Sequence, residues 1–282
     1  MTMTRALVLG GGGLAGIAWE TGVLAGLAEE GVDVPATADH VVGTSAGAAV
    51  AAQLASGLTL PELLARQTDP ALQNEELAPS GTSVAEVLEL WAKLVAEHTD
   101  PLELRRGIGA LALGATTVPE AARLEVIARR LPRHDWPEDR PLTLVVVDAR
   151  TGGTRLFDRH SGVGLVEAVA ASCAVPGIWP PVPIGGAHYV DGGVRTSNNA
   201  DLAAGHDRVL VLAPMADPAL EAEIAGLRRT ARVAVITPDD ASAAAFGIDP
   251  LAPAVRTPAA HAGLAQGRRE AAAVGEVWAR ET

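Results

Sequence analysis

A chain of 282 residues allows one large domain or two small ones. With 48% apolar and 20% charged residues it can bury a substantial core, which excludes disordered and collagen-like chains, and the single cysteine, Cys173, excludes an internal disulfide framework and suits a reducing compartment. A net charge of −12 excludes a protein-wide nucleic-acid surface and confines any contact with an anionic membrane to a local patch.

Lys93 is the one lysine among 22 basic residues, and no Gly-Lys-Ser/Thr run exists, which argues against P-loop and Schiff-base chemistry. Aromatic residues at 3% are too few for stacking platforms that bind single strands. The apolar stretch after Arg5 is broken by four successive glycines, and no run approaches the ~20 residues of a membrane span, so a cytoplasmic protein is expected.

In chain order, the apolar run 5–9 ends in Gly10 to Gly13 and reads as a buried strand entering a tight turn. Ile17, Trp19, Val23, Leu24 and Leu27 then recur at helical spacing as far as Glu29. Residues 40–42 form a second strand ended by Gly43, and the small residues 46–55 a second helix. Residues 60–131 read as mainly helical, with a capping box at Ser83 and Glu86 and a helix opened by Pro119. Strands are predicted at 142–147, 154–157, 188–190, 209–212 and 233–236, and the Pro-rich segment 179–183 as a rigid loop. This alternation predicts an α/β fold of three layers, with a largely parallel central sheet and helices on both faces.

Gly43-Thr44-Ser45-Ala46-Gly47 is a G-x-S-x-G run between a strand and a small-residue helix. A nucleophilic serine on such a turn occupies strained backbone, and the crowded positions at Gly43 and Gly47 require glycine. The plainer alternative is a glycine-flanked turn with a capping serine. Gly11, Gly13 and Gly16 also fit a dinucleotide-binding turn, but the second strand lacks the acidic residue that would take the ribose. Beside a nucleophile, the N–H groups of Gly11, Gly12 and Gly13 instead suit an oxyanion hole. Asp191, at a strand end and followed by Gly192 and Gly193, suits a base that must approach a nucleophile closely, though a plain turn aspartate would look the same.

The ordered motifs Gly11-Gly12-Gly13-Leu14-Ala15-Gly16, Gly43-Thr44-Ser45-Ala46-Gly47 and Asp191-Gly192-Gly193 resemble the signatures of patatin-like phospholipases. The segment from Ala171 through Ser172, Pro176 and Gly177 to Pro180-Pro181 is similar to a further motif of that family. The resemblance covers about 5–212, leaving 213–282 as a strand-helix extension of what reads as a single domain, 1–282. It implies a patatin-like fold and a Ser45–Asp191 dyad that hydrolyses lipid acyl esters through an acyl-enzyme, without metal or cofactor. Its expected partners are a lipid or acyl ester substrate and a peripheral membrane contact, with no nucleic acid and an open oligomeric state. Ala15 stands where the family commonly carries Arg or Lys, which predicts a preference for neutral or short esters over anionic phospholipids.

Rival readings use the same residues. Ser45, Asp191 and either His206 or His261 would follow the chain order of an α/β-hydrolase triad. An acyltransferase or thioesterase could use the same serine, a nucleotide-binding module the same glycine loop, and an inactive lipid-binding protein the same pocket. Trp179, Pro180 and Val182 are candidates for the apolar surroundings that would raise the pKa of Asp191.

Overall fold

The computed structural model of the protein describes residues 3–81 and 84–279. Its strands are β1 (Arg5–Leu9), β2 (His40–Gly43), β3 (Leu142–Asp148), β4 (Thr154–Phe157), β5 (Val182–Ile184), β6 (Ala187–Asp191), β7 (Arg208–Leu212) and β8 (Arg232–Ile236). They form one eight-stranded sheet in the order β5-β6-β3-β2-β1-β7-β8, with β4 paired to β3. The strands β3-β2-β1-β7-β8 are mutually parallel, as expected, while β4 and β6 run antiparallel to β3 and β5 antiparallel to β6, so the sheet is mixed.

Strand periodicity decides which core each residue joins. Leu7, Leu9, Leu144 and Val146 face one side, whereas Ala6, Val8 and Val145 face the other. On the first side lie α1 (Gly13–Glu29), the short α2 (Val34–Thr37), α3 (Ala46–Leu54) and α4 (Leu60–Thr68). The chain continues through α5 (Val84–Glu97), α6 (Pro101–Gly114), α7 (Glu120–Arg130) and α8 (Leu165–Ser172) to α9 (Leu220–Leu227), α10 (Asp240–Phe246) and α11 (Arg256–Trp278). Ile224 and Leu227 of α9, and Ile108 and Ala112 of α6, cover the second side. Helices therefore flank both faces.

The strand-helix extension joins the same sheet and packs on the same core. Gly22 and Gly26 of α1 meet Gly263 and Gly267 of α11 so closely that a Cβ at Gly22 would lie 2.2 Å from the Ala260 carbonyl oxygen. Two glycines four residues apart on each helix thus allow backbone-to-backbone packing that larger side chains would block.

Two local expectations change. Val182–Ile184 is a strand, so the predicted Pro-rich loop ends in regular structure. Pro183 is compatible with it because β5 is the sheet's edge, where a missing N–H costs no ladder bond. Ser83, half of the expected capping box, lies outside the described residues.

Candidate active site

β4 occupies one edge of β3, pairing Phe157 with Leu144 and Arg155 with Val146. β2 and β6 must therefore share the opposite edge, where Gly43 pairs with the same Leu144 and Asp191 with the same Val146. β2 runs parallel to β3 and β6 antiparallel, so their C-terminal ends converge two residues apart in register. That convergence brings Ser45, just past β2, to Asp191, the last residue of β6, across 146 positions of sequence.

At Ser45 the backbone takes φ 53° and ψ −114°, outside the helical and extended regions, before α3 begins at Ala46. Such a conformation costs roughly 1–3 kcal/mol and needs surroundings that enforce it. The flanking glycines belong to those surroundings. A Cβ at Gly47 would lie 2.1 Å from the Leu9 carbonyl oxygen, and one at Gly43 would lie 2.8 Å from that of Gly47. The Thr44 N–H donates to the Leu9 carbonyl at 3.0 Å and the Gly47 N–H to that of Gly10 at 2.9 Å, tying the turn to the end of β1.

Two groups that the sequence reading gave no role complete the support. The Ser45 N–H donates to Ser172 Oγ at 3.0 Å, and that hydroxyl donates to the Val145 carbonyl at 2.8 Å. Asn199 donates through Nδ2 to Thr44 Oγ1 at 3.1 Å and to the Gly192 carbonyl at 3.3 Å, bridging the serine turn and the aspartate turn. It holds φ 52°, a conformation asparagine tolerates better than most residues, and Arg195 donates to its Oδ1 at 2.7 Å. Ser172 stood within a segment similar to a family motif, but nothing local marks either residue as a side chain that bonds across the fold.

Ser45 is 8% exposed and Asp191 4%. Asp191 Oδ1 accepts the Gly193 N–H at 2.8 Å, while Oδ2 is buried with no hydrogen bond of good geometry among the described residues. The Ser45 hydroxyl lies near enough to act on the carboxylate as a donor. Burial pushes the Asp191 carboxyl up to about 7, against the opposing pull of the Ser45 hydroxyl, the Gly193 N–H and the Arg123 guanidinium. A Cβ at Gly192 would lie 2.3 Å from the Val145 carbonyl oxygen, which explains the glycine directly after the aspartate.

The glycine loop passes over the serine, since a Cβ at Gly11 would come 3.5 Å from that of Ser45. The Gly11 N–H is donated to the Ser197 carbonyl at 2.8 Å, so it is engaged within the protein. Those of Gly12 and Gly13 have no hydrogen-bond partner among the described residues. The Ala15 N–H donates to the Pro250 carbonyl at 3.0 Å, and Pro250 and Leu251 crowd Gly13. That contact covers the first turn of α1, where a dinucleotide's phosphates would have to sit.

A cleft opens beside Ser45, lined by Gly13, Leu14, Arg123, Cys173, Trp179 and Leu251 among others. Of the three residues expected to surround Asp191 with apolar groups, Trp179 lines this cleft, while Val182 joins the main core and Pro180 is buried. Cys173 is no rival nucleophile. Burial pushes its thiol up to about 12, and it donates to the Ser45 carbonyl at 3.1 Å.

Neither candidate histidine lines the cleft. His206 stacks at 5.3 Å on His40, the first residue of β2, at the opposite end of the sheet from Ser45. Burial, and secondarily His206, lowers the His40 imidazole to about 4. His261 is exposed on α11.

The α/β sheet thus carries a strained serine turn and a buried aspartate at the converging ends of two strands. The Patatin family, described as patatin-like phospholipase, matches residues 7–204, and the chain belongs to this family. Family and fold support lipid hydrolase activity. Among curated proteins no sequence matches the chain significantly. Among solved structures it is similar to VipD from Legionella pneumophila, at a TM-score of 0.50 and 14% identity, with 96% of this chain covering 67% of that one. It is similar to the type III effector protein ExoU at a TM-score of 0.44 and 17% identity, with 96% of this chain covering 53% of that one. A complex of ExoU with SpcU from Pseudomonas aeruginosa gives 0.42 and 16%, with 99% of this chain covering 52% of that one. The chain thus spans about two thirds of VipD and half of ExoU. No helix among the described residues is long and apolar enough to cross a membrane.

Proposed function

We propose that the protein hydrolyses lipid acyl esters with a Ser45–Asp191 dyad. The observation that carries this reading is the convergence of β2 and β6 on one edge of β3, which ends one strand in a strained serine turn and the other in a buried carboxylate. Asp191 takes the Ser45 proton as Oγ bonds to the ester carbonyl carbon, and Gly12 and Gly13 donate to the resulting oxyanion. Collapse breaks the ester C–O bond, and the departing alcohol takes the proton from Asp191. Water then attacks the acyl-enzyme, gives its proton to Asp191 and releases the fatty acid, while Ser45 recovers its proton.

A carboxyl near 7 supports this role, because a base must hold a proton easily yet be partly ionised at neutral pH. An exchange of water for another acyl acceptor would use the same serine. The chain is read as one hydrolase domain, and Leu88 and Val95, exposed on α5, form the local apolar patch through which it meets a lipid surface.

Hydrolysis of short p-nitrophenyl esters tests the dyad. Ser45→Ala and Asp191→Asn should each lower kcat/KM by about a thousandfold or more, while His206→Ala and His261→Ala stay within about threefold of wild type. A comparable loss in a folded histidine variant would restore the triad, and turnover by folded Ser45→Ala would remove the serine from the mechanism.

A further inference from the structure

The buried face of α7 contains Arg123, Val126, Ile127 and Arg130, so two arginines occupy positions normally filled by aliphatic residues. Arg130 is neutralised by Glu76 through Nε at 3.1 Å and Nη2 at 2.5 Å. Arg256 of α11 pairs with the same carboxylate, so Glu76 is shared between two guanidiniums. Among the described residues Arg123 has no such ion pair. It is only 6% exposed, and its Nη1 is buried without a hydrogen-bond acceptor among the described residues.

What holds Arg123 is the ring of Trp179, 3.8 Å from the guanidinium carbon. Ring stacking covers one face of the guanidinium and leaves Nη1 without an acceptor. Burial, and secondarily Arg130, lowers the Arg123 pKa to about 9, so the group remains a cation at neutral pH. In and behind the cleft that contains Ser45, three guanidiniums thus share two carboxylates, Glu76 and Asp191, and among the described residues neither carboxylate hydrogen-bonds Arg123, although both act on it electrostatically. A buried cation without its own anion is costly unless a ligand completes it. Ala15, which stands where the resembled family commonly carries Arg or Lys, is fully buried and supplies no cation.

We propose that Arg123 binds an anionic oxygen group, a phosphate or carboxylate, carried by the acyl ester that Ser45 attacks. The proposal rests on the dyad reading and replaces the expected preference for neutral esters with a preference for anionic ones. The planar N–H edge of the guanidinium would take two oxygens of the anion, and Trp179 would hold its plane in place.

The test compares three esters of matched chain length: a neutral monoacylglycerol, the same ester with a phosphate on the glycerol, and one with a carboxylate ending the acyl chain. Wild type should favour at least one charged ester by tenfold or more in kcat/KM, and the arm that wins identifies the source of the anion. Arg123→Gln should lose that preference mainly through KM, and Arg123→Lys should recover part of it. Hexyl phosphate binding to the Ser45→Ala protein, followed by calorimetry, separates this claim from catalysis. Binding should weaken at least tenfold when Arg123→Gln is added. Equal wild-type rates on all three esters overturn the proposal even if the glutamine variant does not fold. Unchanged preference in folded Arg123→Gln overturns it equally. Failure of the dyad is distinct, because it would abolish neutral-ester turnover and serine labelling while leaving hexyl phosphate binding intact.

Discussion

The hydroxyl of Ser172 accepts the backbone N–H of Ser45 at 3.0 Å and passes its own proton to the Val145 carbonyl at 2.8 Å. A side chain 127 positions away thus holds the strained turn against the central strand β3. Because this N–H is committed to Ser172, it is not an oxyanion donor, which leaves that role to the glycine loop.

Ser172→Ala should therefore damage geometry more than binding. It leaves a buried N–H and a buried carbonyl unsatisfied, a cost of ~1–3 kcal/mol. Chemical denaturation should register that loss, and kcat on a p-nitrophenyl ester should fall at least tenfold with KM little changed. Wild-type kcat in the folded variant would show that the turn keeps its shape without Ser172.

The Asp191 carboxyl makes opposite predictions for activity and stability. As the base it must be ionised, so kcat/KM should rise with pH and level off above about 7. Burial places this limb close to that of a histidine, near ~6.5, so the limb alone does not separate dyad from triad. For stability, the folded pKa lies above the unfolded value of ~3.9. Between those values the native state holds a proton that the unfolded chain has released, so this group's contribution to stability declines as pH rises from about 4 to 7. Asp191→Asn, inactive and always neutral, should melt several degrees above wild type at pH 8, and the gap should close near pH 4. A variant that melts below wild type at pH 8 contradicts a buried, raised carboxyl.

Asn199 predicts a separable pair of effects. Its side chain joins Thr44 to Gly192, and its backbone has positive φ. Asn199→Gly relieves the backbone but removes the bridge, whereas Asn199→Ala removes the bridge and adds strain. Both should lose at least tenfold in kcat, and the alanine variant should be less stable than the glycine one by ~1 kcal/mol. Equal stability with full activity would mean that the two turns hold each other without Asn199.

Much of this architecture is legible in the sequence because it is local. The strand runs around Leu7, Val42, Val145 and Val211 are short and apolar, and the turns at Gly10–Gly13, Gly43 and Gly192 carry their own signals. The antiparallel β5 escapes because Pro183 argues against strand unless the edge position is known. Ser172 and Asn199 act through bonds between distant segments, which no spacing rule reveals. Arg123 did leave a trace: positions 123, 126, 127 and 130 share one helical face, and arginine at two of them disagrees with an apolar stripe. That disagreement marks a charge the fold has buried.

The central claim is that Ser45 is a nucleophile activated by Asp191, and covalent labelling reads it most directly. Intact-protein mass spectrometry after treatment with a fluorophosphonate should show one adduct on wild type, mapped by peptide sequencing to Ser45. The adduct should be absent from Ser45→Ala and should form far more slowly on Asp191→Asn. An adduct on folded Ser45→Ala, or undiminished labelling of Asp191→Asn, would contradict the account.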